Sequence, residues 1–430
     1  MIEYRTYASP SGWNALAGNQ PEQQILSRDL DADFLIVGAG YAGLAAARRL
    51  AEHHPDRQIV LVDASWAAEN SSGRNSGFMI DLPYAKISAT QDAEQGDWQT
   101  RLLGYGKALL VDTVERHGIA CGWQEAGHYK AATTPGGCAS LDALCGTLDA
   151  HAVAYRRLSA AGIQDELGTS RYRGALWLPS CTLVQPAELV NGLIASLPSN
   201  VDCFFGTPVR RITGSGPYEV LAGEHRIRAR QILLCVNTAL PDFGHARYRQ
   251  LTMYTYAGLT RELSPSEAAS LGQASDWGIT PVERLEATTR KLGGKRYMLR
   301  AGFSYKHELP VAQIRPWLER KLTERHPDLG ASPFEHIWGG AVSLTRGGAP
   351  FFQQLGKGLF AVSGCNASGI LKMTALGALL ADQVVNQSGG LLAETQRLSK
   401  PRFIPPDPIR RLAVNLQIHQ FKRELSGGPA

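Results

Sequence analysis

The chain has 430 residues, of which 44% are hydrophobic, and its formal net charge is only +5. This length and composition support a large core, and we expect two domains. So small a charge, without a basic run interleaved with aromatic residues, argues against a nucleic-acid surface. The first 32 residues hold no continuous apolar segment, and nowhere do 18 uncharged apolar residues run together. The sequence therefore predicts a cytoplasmic protein without a membrane span.

The cysteines and histidines indicate no metal chemistry. The seven cysteines are scattered, odd in number and form no C-x-x-C pair, and none of the 11 histidines has the spacing of metal ligands. We therefore predict free thiols and no metal site, and hydrolase or metalloenzyme interpretations are disfavoured.

Residues 33–63 carry the strongest motif. An apolar run is followed by Gly38, Gly40 and Gly43 in G-x-G-x-x-G spacing, an Ala-rich helix pattern, a second apolar run and Asp63. In such a βαβ unit the glycines allow a tight turn, close approach of a pyrophosphate and close packing of the helix on the sheet. The acidic residue accepts hydrogen bonds from a ribose diol and would repel a 2'-phosphate. This motif alone is compatible with either NAD or FAD.

Two later segments look like parts of the same sheet. Residues 230–240 form a short apolar strand followed by Asn237 and Thr238, and residues 356–385 form a strand, a Gly/Ser/Asn turn and a long apolar helix. The second of these places helix amides against another polar group of a ligand. An NAD enzyme needs no such second strand-turn-helix near its C-terminus. FAD is longer and has an additional polar ring that such a segment can bind. We therefore predict FAD, extended from Asp63 to the turn at residues 364–372, and keep an NAD-only dehydrogenase as an alternative.

The predicted fold is α/β with an α+β second domain. A Rossmann-like FAD-binding domain is assigned residues 1–85, 183–245 and 335–430, and a substrate-binding domain residues 86–182 and 246–334. In the second domain, the alternating runs at 251–263 and 296–306 predict antiparallel strands. The tail from residue 397 predicts an amphipathic helix that docks on the protein's own surface rather than on lipid.

Ordered motifs over nearly the whole chain support a family assignment. They are VGAGYAGLAAARRLA with VDA after it, SSGRNSGF (71–78), VQPAELVNGL (184–193), the strand ending at Asn237, and WGGAVSLTRGGAPFFQQLGKGLFAVSGCNASG near the C-terminus. In this pattern the chain resembles the D-amino-acid-oxidase-like (DAO) FAD oxidoreductases, the group that contains glycine oxidase, sarcosine oxidase and gamma-glutamylputrescine oxidase.

The motif and the resemblance together imply a set of cofactor-binding positions. Arg74 is expected near the flavin ring system, Val209 at the adenine through its backbone, and Lys372 near the reduced flavin as the one candidate with a catalytic, electrostatic role. Neither a cysteine nor a histidine stands where covalent relatives attach their flavin, so non-covalent binding is expected. The full set is Val37, Gly38, Gly40, Tyr41, Ala42, Gly43, Asp63, Ala64, Ser72, Gly73, Arg74, Asn75, Ser76, Val209, Asn237, Thr238, Gly364, Gly369, Ile370, Leu371 and Lys372.

The resemblance also implies a reaction. Hydride transfer to flavin N5 would oxidise the C–N bond of an amine or of an N-substituted or D-amino acid. The resulting imine would hydrolyse to an aldehyde or oxo acid, and O2 would be reduced to H2O2. Two alternatives stay open: a dehydrogenase that passes electrons to a protein or quinone, and a flavin-binding subunit of a heteromeric oxidase.

Five residues are candidates for substrate contacts: Tyr254, Tyr256, Arg300, Trp338 and Arg346. The two tyrosines share one strand face because strands repeat every two residues, and core packing explains them equally well. The arginines could equally be surface charges. If either points inward, a substrate with a carboxylate follows, because a guanidinium matches a carboxylate in two hydrogen bonds. The chain departs from common family patterns at 366–369 and 345–347, beside the expected flavin and substrate.

Overall fold

The computed structural model describes residues 2, 4–18, 20–82, 93–330 and 332–425. Two eight-stranded sheets form its framework, joined by a short ribbon of β3 (Phe78–Ile80) and β7 (Cys181–Leu183). No helix within these ranges is long and apolar enough to cross a membrane.

The first sheet has the order β17-β18-β11-β1-β2-β8, with β10 also paired to β11 and β9 paired to β10. Its central pairs are parallel, as expected for the βαβ unit of the glycine motif. The second half of β1 and all of β2 are continuous apolar runs because both faces of the sheet are covered, one by α2 and α9 and the other by β9 and β10. Its strands are β1 (Leu30–Val37), β2 (Ile59–Val62), β8 (Val201–Phe204), β9 (Val209–Gly214), β10 (Tyr218–Ala222), β11 (His225–Leu234), β17 (Phe351–Gly356) and β18 (Leu359–Ser363).

The second sheet has the order β16-β12-β15-β14-β13-β4-β6-β5 and is antiparallel except between β13 and β4. The predicted antiparallel strands at 251–263 and 296–306 are confirmed as β12 and β15. The strands of this sheet are β4 (His128–Ala132), β5 (Arg156–Leu158), β6 (Gly174–Leu178), β12 (Gln250–Thr260), β13 (Trp277–Pro281), β14 (Thr288–Leu292), β15 (Arg296–Tyr305) and β16 (Phe334–Thr345).

The helices surround these sheets, and α9 is the most deeply buried. Fourteen of its 16 residues are buried, because α2 and α3 pack against it; a helix that is apolar on every side suits such a position. The helices are α1 (Gly12–Leu16), α2 (Tyr41–His53), α3 (Ala93–His117), α4 (Pro135–Ala150), α5 (Ala160–Leu167), α6 (Pro186–Ala195), α7 (Pro265–Ala269), α8 (Val311–Thr323), α9 (Gly369–Val384), α10 (Gly390–Leu398) and α11 (Ile409–Leu425).

The domain limits expected from the sequence differ from this architecture at two places. β16 is an edge strand of the second sheet, so the return to the first sheet falls after Thr345 rather than at residue 335. Helix α3, expected in the substrate domain, packs against α9, the helix that follows β18 of the first sheet. The reason for the first difference is that β16 pairs with β12 along its whole length, a long-range contact that composition does not reveal.

Candidate functional site

The three glycines of the turn after β1 are packed so closely against neighbouring atoms that a side chain at any of them would collide. Gly38 has φ +105°, and a Cβ there would lie 2.6 Å from the Cys235 carbonyl oxygen. A Cβ on Gly43 would lie 1.8 Å from the Gly38 oxygen, and one on Gly40 would lie 2.7 Å from Ser72 Oγ. Gly40 is the N-cap of α2, and the first residues of the helix, Tyr41 and Ala42, line the cavity that begins here. Such an N-terminus favours a phosphate group.

Asp63 ties together the turns that follow β1 and β2. Its Oδ2 accepts a hydrogen bond from the Ala39 amide (2.8 Å), and its Oδ1 accepts from the Ser65 amide (2.8 Å) and from Asn70 Nδ2 (3.1 Å). Burial raises the pKa of this carboxyl, and the hydrogen bonds oppose the rise. Asp63 and its neighbour Ala64 are not part of the cavity wall, so a ribose contact for Asp63 stays a prediction.

The loop at residues 71–76 forms the next part of the wall. Tyr41 donates from its amide to Ser72 Oγ (3.4 Å) and from its hydroxyl to the Ser72 oxygen (3.0 Å), which fixes the loop on the start of α2. Asn75 Nδ2 donates to the same oxygen (2.6 Å), and Trp13 Nε1 donates to the Asn75 oxygen (2.7 Å). Gly73 is buried beneath them. The loop thus presents main chain and small side chains to the cavity.

The Arg74 guanidinium is engaged by protein groups. Its Nε donates to the Gly339 oxygen and its Nη2 to the Ser9 oxygen, both at 2.6 Å, and the group stacks 3.9 Å from the centre of the Tyr7 ring. Burial lowers its pKa. The Arg74 oxygen accepts from Trp338 Nε1 (3.0 Å). Arg74 therefore joins the loop to β16 through Gly339 and Trp338.

The turn before α9 provides the third segment of this wall. Gly364, Asn366 and Ala367 all have positive φ. Asn366 Oδ1 accepts from the Thr345 main-chain amide (2.8 Å) and Asn366 Nδ2 donates to the Gly348 oxygen (2.9 Å), which links the turn to the end of β16. Residues 365–371 line the cavity, including Gly369, Ile370 and Leu371.

Lys372 follows them but is not in the cavity wall. Its Nζ donates to the Cys365 oxygen (3.4 Å), and burial lowers its pKa. A role in flavin electrostatics would therefore act through the turn.

Three further positions were predicted: Asn237 and Thr238 follow β11, which pairs in parallel with β1 and so ends beside the glycine turn, and Val209 is the first residue of β9. The Val209 oxygen accepts from Tyr4 Oη (2.7 Å), and the Thr238 oxygen accepts from Arg5 Nη2 (3.2 Å), so the N-terminal segment covers both. Asn237 lines the cavity, and its Oδ1 is buried without a hydrogen-bond partner in the described part of the chain. An unsatisfied buried acceptor is costly, and a ligand donor would satisfy it. Asn237 Oδ1, together with the glycine turn that favours a phosphate group, therefore fits a site for a dinucleotide.

These segments and the second sheet enclose a cavity of about 730 Å³. Its far wall is a row of residues that runs across six neighbouring strands. The ladders pair Trp338 with Ala257, Ala257 with Arg300, Arg300 with Thr288, and Thr280 with Lys130. Ile279 pairs with Thr289, which sets Thr280 beside Thr288. All six residues of the row line the cavity: Trp338, Ala257, Arg300, Thr288, Thr280 and Lys130.

The predicted substrate contacts of Tyr254 and Tyr256 do not occur in this cavity. Both side chains are buried in the core on the opposite face of β12, and Tyr256 Oη bonds to Ser304 Oγ (2.5 Å) and to the Leu309 amide (2.7 Å). Thr255 and Ala257, the residues that alternate with them, face the cavity instead. The two tyrosines share a face, as expected, but it is the core face.

The two predicted arginines have different positions. Arg300 lines the cavity; its Nη1 donates to Thr255 Oγ1 (3.2 Å) and its Nη2 to Thr288 Oγ1 (2.7 Å). Within the described ranges, no carboxylate forms an ion pair with it, and burial lowers its pKa to about 10. Arg346 is exposed, lies outside the cavity wall and donates to the Phe403 oxygen (3.4 Å).

Several wall residues were not anticipated from the sequence. Lys130 and Thr280 at one end of the row, with Glu283 and Arg284 beside them, come from strands and turns without a motif. The one signal for Thr255 was the alternation in residues 254–257, which offers Thr255 and Ala257 as the alternative to the two tyrosines but does not choose between the two faces. Among the residues with assigned positions, no group of three or more His, Cys, Asp or Glu could hold a metal ion.

Comparisons with known proteins agree with this geometry. The family model described as "DAO: FAD dependent oxidoreductase" matches residues 33–383. The chain is 24% identical to the gamma-glutamylputrescine oxidoreductase of Escherichia coli (strain K12) over 392 residues, which are 88% of this chain and 89% of that protein. It is also 24% identical to the probable oxidoreductase OrdL of Rhizobium meliloti (strain 1021) over 402 residues, 89% of this chain and 91% of that protein.

Among solved structures, glycine oxidase from Geobacillus kaustophilus superimposes with a TM-score of 0.71 at 19% sequence identity. The match covers 84% of this chain and 96% of that one. At this identity the likeness concerns the fold.

Proposed function

The chain belongs to the DAO family of FAD-dependent oxidoreductases, and from this premise we propose that it oxidises the C–N bond of an amino acid whose carboxylate is bound by Arg300. The observation that carries the proposal is a half-buried guanidinium that lines the cavity, donates to the hydroxyls of Thr255 and Thr288, lies 5.9 Å from the centre of the Phe303 ring and has no carboxylate partner among the described residues. A guanidinium in that position lacks a counterion, and a substrate carboxylate supplies one in a bidentate geometry. A simple amine without a carboxylate would leave this charge uncompensated.

The printed names of similar proteins support the same substrate class. One relative is a gamma-glutamylputrescine oxidoreductase, and a structure of similar fold is a glycine oxidase. Both names refer to compounds with an amino group and a carboxylate. Relatives at this level of identity do not identify the substrate, and the charge pattern of this chain's own cavity defines the proposed class.

The bound FAD would supply the acceptor for a hydride from the carbon next to the substrate nitrogen. The protein's part is to bind, orient and exclude water. The two threonine hydroxyls hold the Arg300 guanidinium in one orientation before substrate arrives, so little rotational freedom remains to be lost on binding. Trp338, buried and bonded to the Arg74 oxygen, closes the end of the row nearest the cofactor loops.

The main-chain segments on the other wall have a separate part. The glycine turn and the start of α2 would hold the pyrophosphate, and the first turn of α9 would present amides to the flavin end. These oriented amides would stabilise negative charge at that end of the cofactor, since residues 365–371 of the turn carry no charged side chain. No protein base is assigned if the substrate enters as the free amine.

Anaerobic reduction of the flavin by a panel of amino acids and amines tests the proposal. We expect amino acids to bleach the visible flavin band and their decarboxylated analogues to do so much more slowly. Admission of air then tests the proposed acceptor, O2: rapid return of the colour with formation of H2O2 is expected, and slow return would indicate a dehydrogenase. If no amino acid or amine reduces the bound flavin, the proposed function is refuted.

A further inference from the structure

We propose that the substrate carries a second anionic group, held by Lys130 and Arg284 at the end of the cavity row farthest from Trp338. This inference rests on the proposed function, since it extends the same cavity beyond the Arg300 contact. It names the substrate class more narrowly: an amino acid with a further carboxylate several carbon atoms from the first.

The charge balance of the cavity wall supports a second anion. Among the residues that the structure describes, the charged ones in the wall are Arg74, Lys130, Glu283, Arg284 and Arg300. Arg74 is bonded to backbone oxygens and stacked on Tyr7, which leaves three cations and one carboxylate on the second-sheet side. One substrate carboxylate would offset Arg300. Among the described wall residues, Lys130 and Arg284 then face one carboxylate, that of Glu283, and Lys130 Nζ also donates to the Pro281 oxygen (3.4 Å).

The Glu283 carboxylate is hydrogen-bonded to the start of helix α4 as well as lying near these cations. Its Oε1 accepts from the Thr133 and Thr134 amides (2.9 Å each) and from Thr134 Oγ1 (3.0 Å), at the start of α4. A carboxylate at a helix N-terminus is stabilised there by the helix dipole. Its Oε2 is buried without a hydrogen-bond partner in the described residues, so a substrate N–H near the second carboxylate would also be accommodated.

The row sets the distance between the two anion positions. Arg300 on β15 and Lys130 on β4 are three strand spacings apart, which is about 14 Å between main chains at about 4.8 Å per strand. Thr288 and Thr280 lie between them, so the cavity wall between the two cations carries two hydroxyl groups. Two long cationic side chains and a short dicarboxylate fit within that span. Burial lowers the pKa of Lys130 to about 8, and a bound anion would oppose that shift.

The C-terminal helix holds the second cation in place. The Arg284 guanidinium lies over the Phe421 ring of α11, 5.2 Å from its centre. Arg284 is otherwise on the exposed side of the cavity wall, where a long side chain has many conformations. A cation stacked on an aromatic ring is both attracted and oriented by it. Helix α11 therefore contributes to the selectivity of the cavity for two-carboxylate substrates.

Titration of the FAD-loaded protein with non-reactive acids tests this site without turnover. The probes are succinate, glutarate and adipate, each compared with butyrate, and the readout is the perturbation of the flavin absorption spectrum. We expect one dicarboxylate to bind roughly ten- to a hundredfold more tightly than butyrate, the gain typical of one more hydrogen-bonded charge. Lys130→Met and, separately, Arg284→Gln should remove most of that gain and leave butyrate binding unchanged.

Lys295→Met is the matched control, because Lys295 is an exposed lysine of the same domain outside the cavity wall; it should keep the preference. Arg284→Gln changes an exposed residue, so it gives a result even if Lys130→Met fails to fold. Equal affinities for butyrate and all three dicarboxylates would overturn the inference. If the dicarboxylate preference is found but no amino acid reduces the flavin, the second anion position stands and the proposed reaction fails.

Discussion

The two walls of the cavity are built from different kinds of atoms. The first-sheet wall consists of main chain and small side chains: the glycine turn after β1, the loop at 71–76 and the turn before α9. The second-sheet wall consists of side chains that project from one face of six strands. The first wall suits a ligand shared by a whole family, because backbone amides bind phosphates whatever the neighbouring side chains are. The second wall can be adapted to a different ligand by single substitutions, because side chains form its surface.

The same contrast explains what the sequence could predict. Gly38, Gly40, Gly43 and Asp63 have a fixed spacing that reflects a fixed backbone path, so the motif predicts the turn directly. The fold and FAD followed from that motif together with the resemblance. Thr255, Lys130 and Arg284 have no such spacing, because strands brought together by pairing place them in one row. Whether Tyr254 or Thr255 faces the cavity depends on which face of the sheet is covered, and alternation gives the period but not the choice.

Gly43→Ala should have the largest effect and would act on the first wall. A Cβ there would lie 1.8 Å from the Gly38 oxygen, so α2 must move away from the glycine turn. We expect the variant to be purified without flavin, as judged by its visible spectrum. Gly104→Ala is the matched control, since a Cβ on this exposed residue of α3 meets nothing within 4 Å; it should keep its colour. A yellow Gly43→Ala protein with normal FAD affinity would contradict this role of the turn.

Arg300→Met should have the next largest effect and would act on the second wall alone. Loss of one partner of a buried charge pair costs about 2–5 kcal/mol, so kcat/KM for amino acids should fall by at least roughly thirtyfold. FAD should stay bound. Arg346→Met, an exposed position outside the cavity wall, should behave like the wild type. If the Arg346 variant loses activity and the Arg300 variant does not, the assignment of the two arginines is reversed.

The pH dependence of dicarboxylate binding should show a smaller effect. The pKa of Lys130 is lowered to about 8, so its positive charge is present below that pH and is lost above it. Glu283 opposes that lowering, Arg284 lies beside them, and His128 on the same strand stays neutral because burial lowers its pKa to about 3. Glutarate affinity should therefore fall as the pH rises through about 8, while butyrate affinity stays flat. Parallel profiles for both acids would contradict a role for Lys130.

Tyr256→Phe should have the smallest effect on catalysis. The hydroxyl bonds to Ser304 and to the Leu309 amide in the core, so its removal should lower the free energy of unfolding by about 1 kcal/mol. The values of kcat and KM should not change. Thr255→Val is the companion variant: it removes one hydrogen bond to Arg300 on the cavity face, and KM should rise instead. A catalytic defect in Tyr256→Phe at normal stability would mean that the cavity uses the other face of β12.

The most direct test is a crystal structure of the FAD complex with a bound, non-reactive carboxylic acid. We predict that one carboxylate lies against the Arg300 guanidinium, between Thr255 and Thr288, and that the cofactor lies along the glycine turn and the turn before α9. In the glutarate complex the second carboxylate should lie near Lys130 and Arg284. A carboxylate bound at Arg346, or a carboxylate in the cavity that does not contact Arg300, would contradict the account.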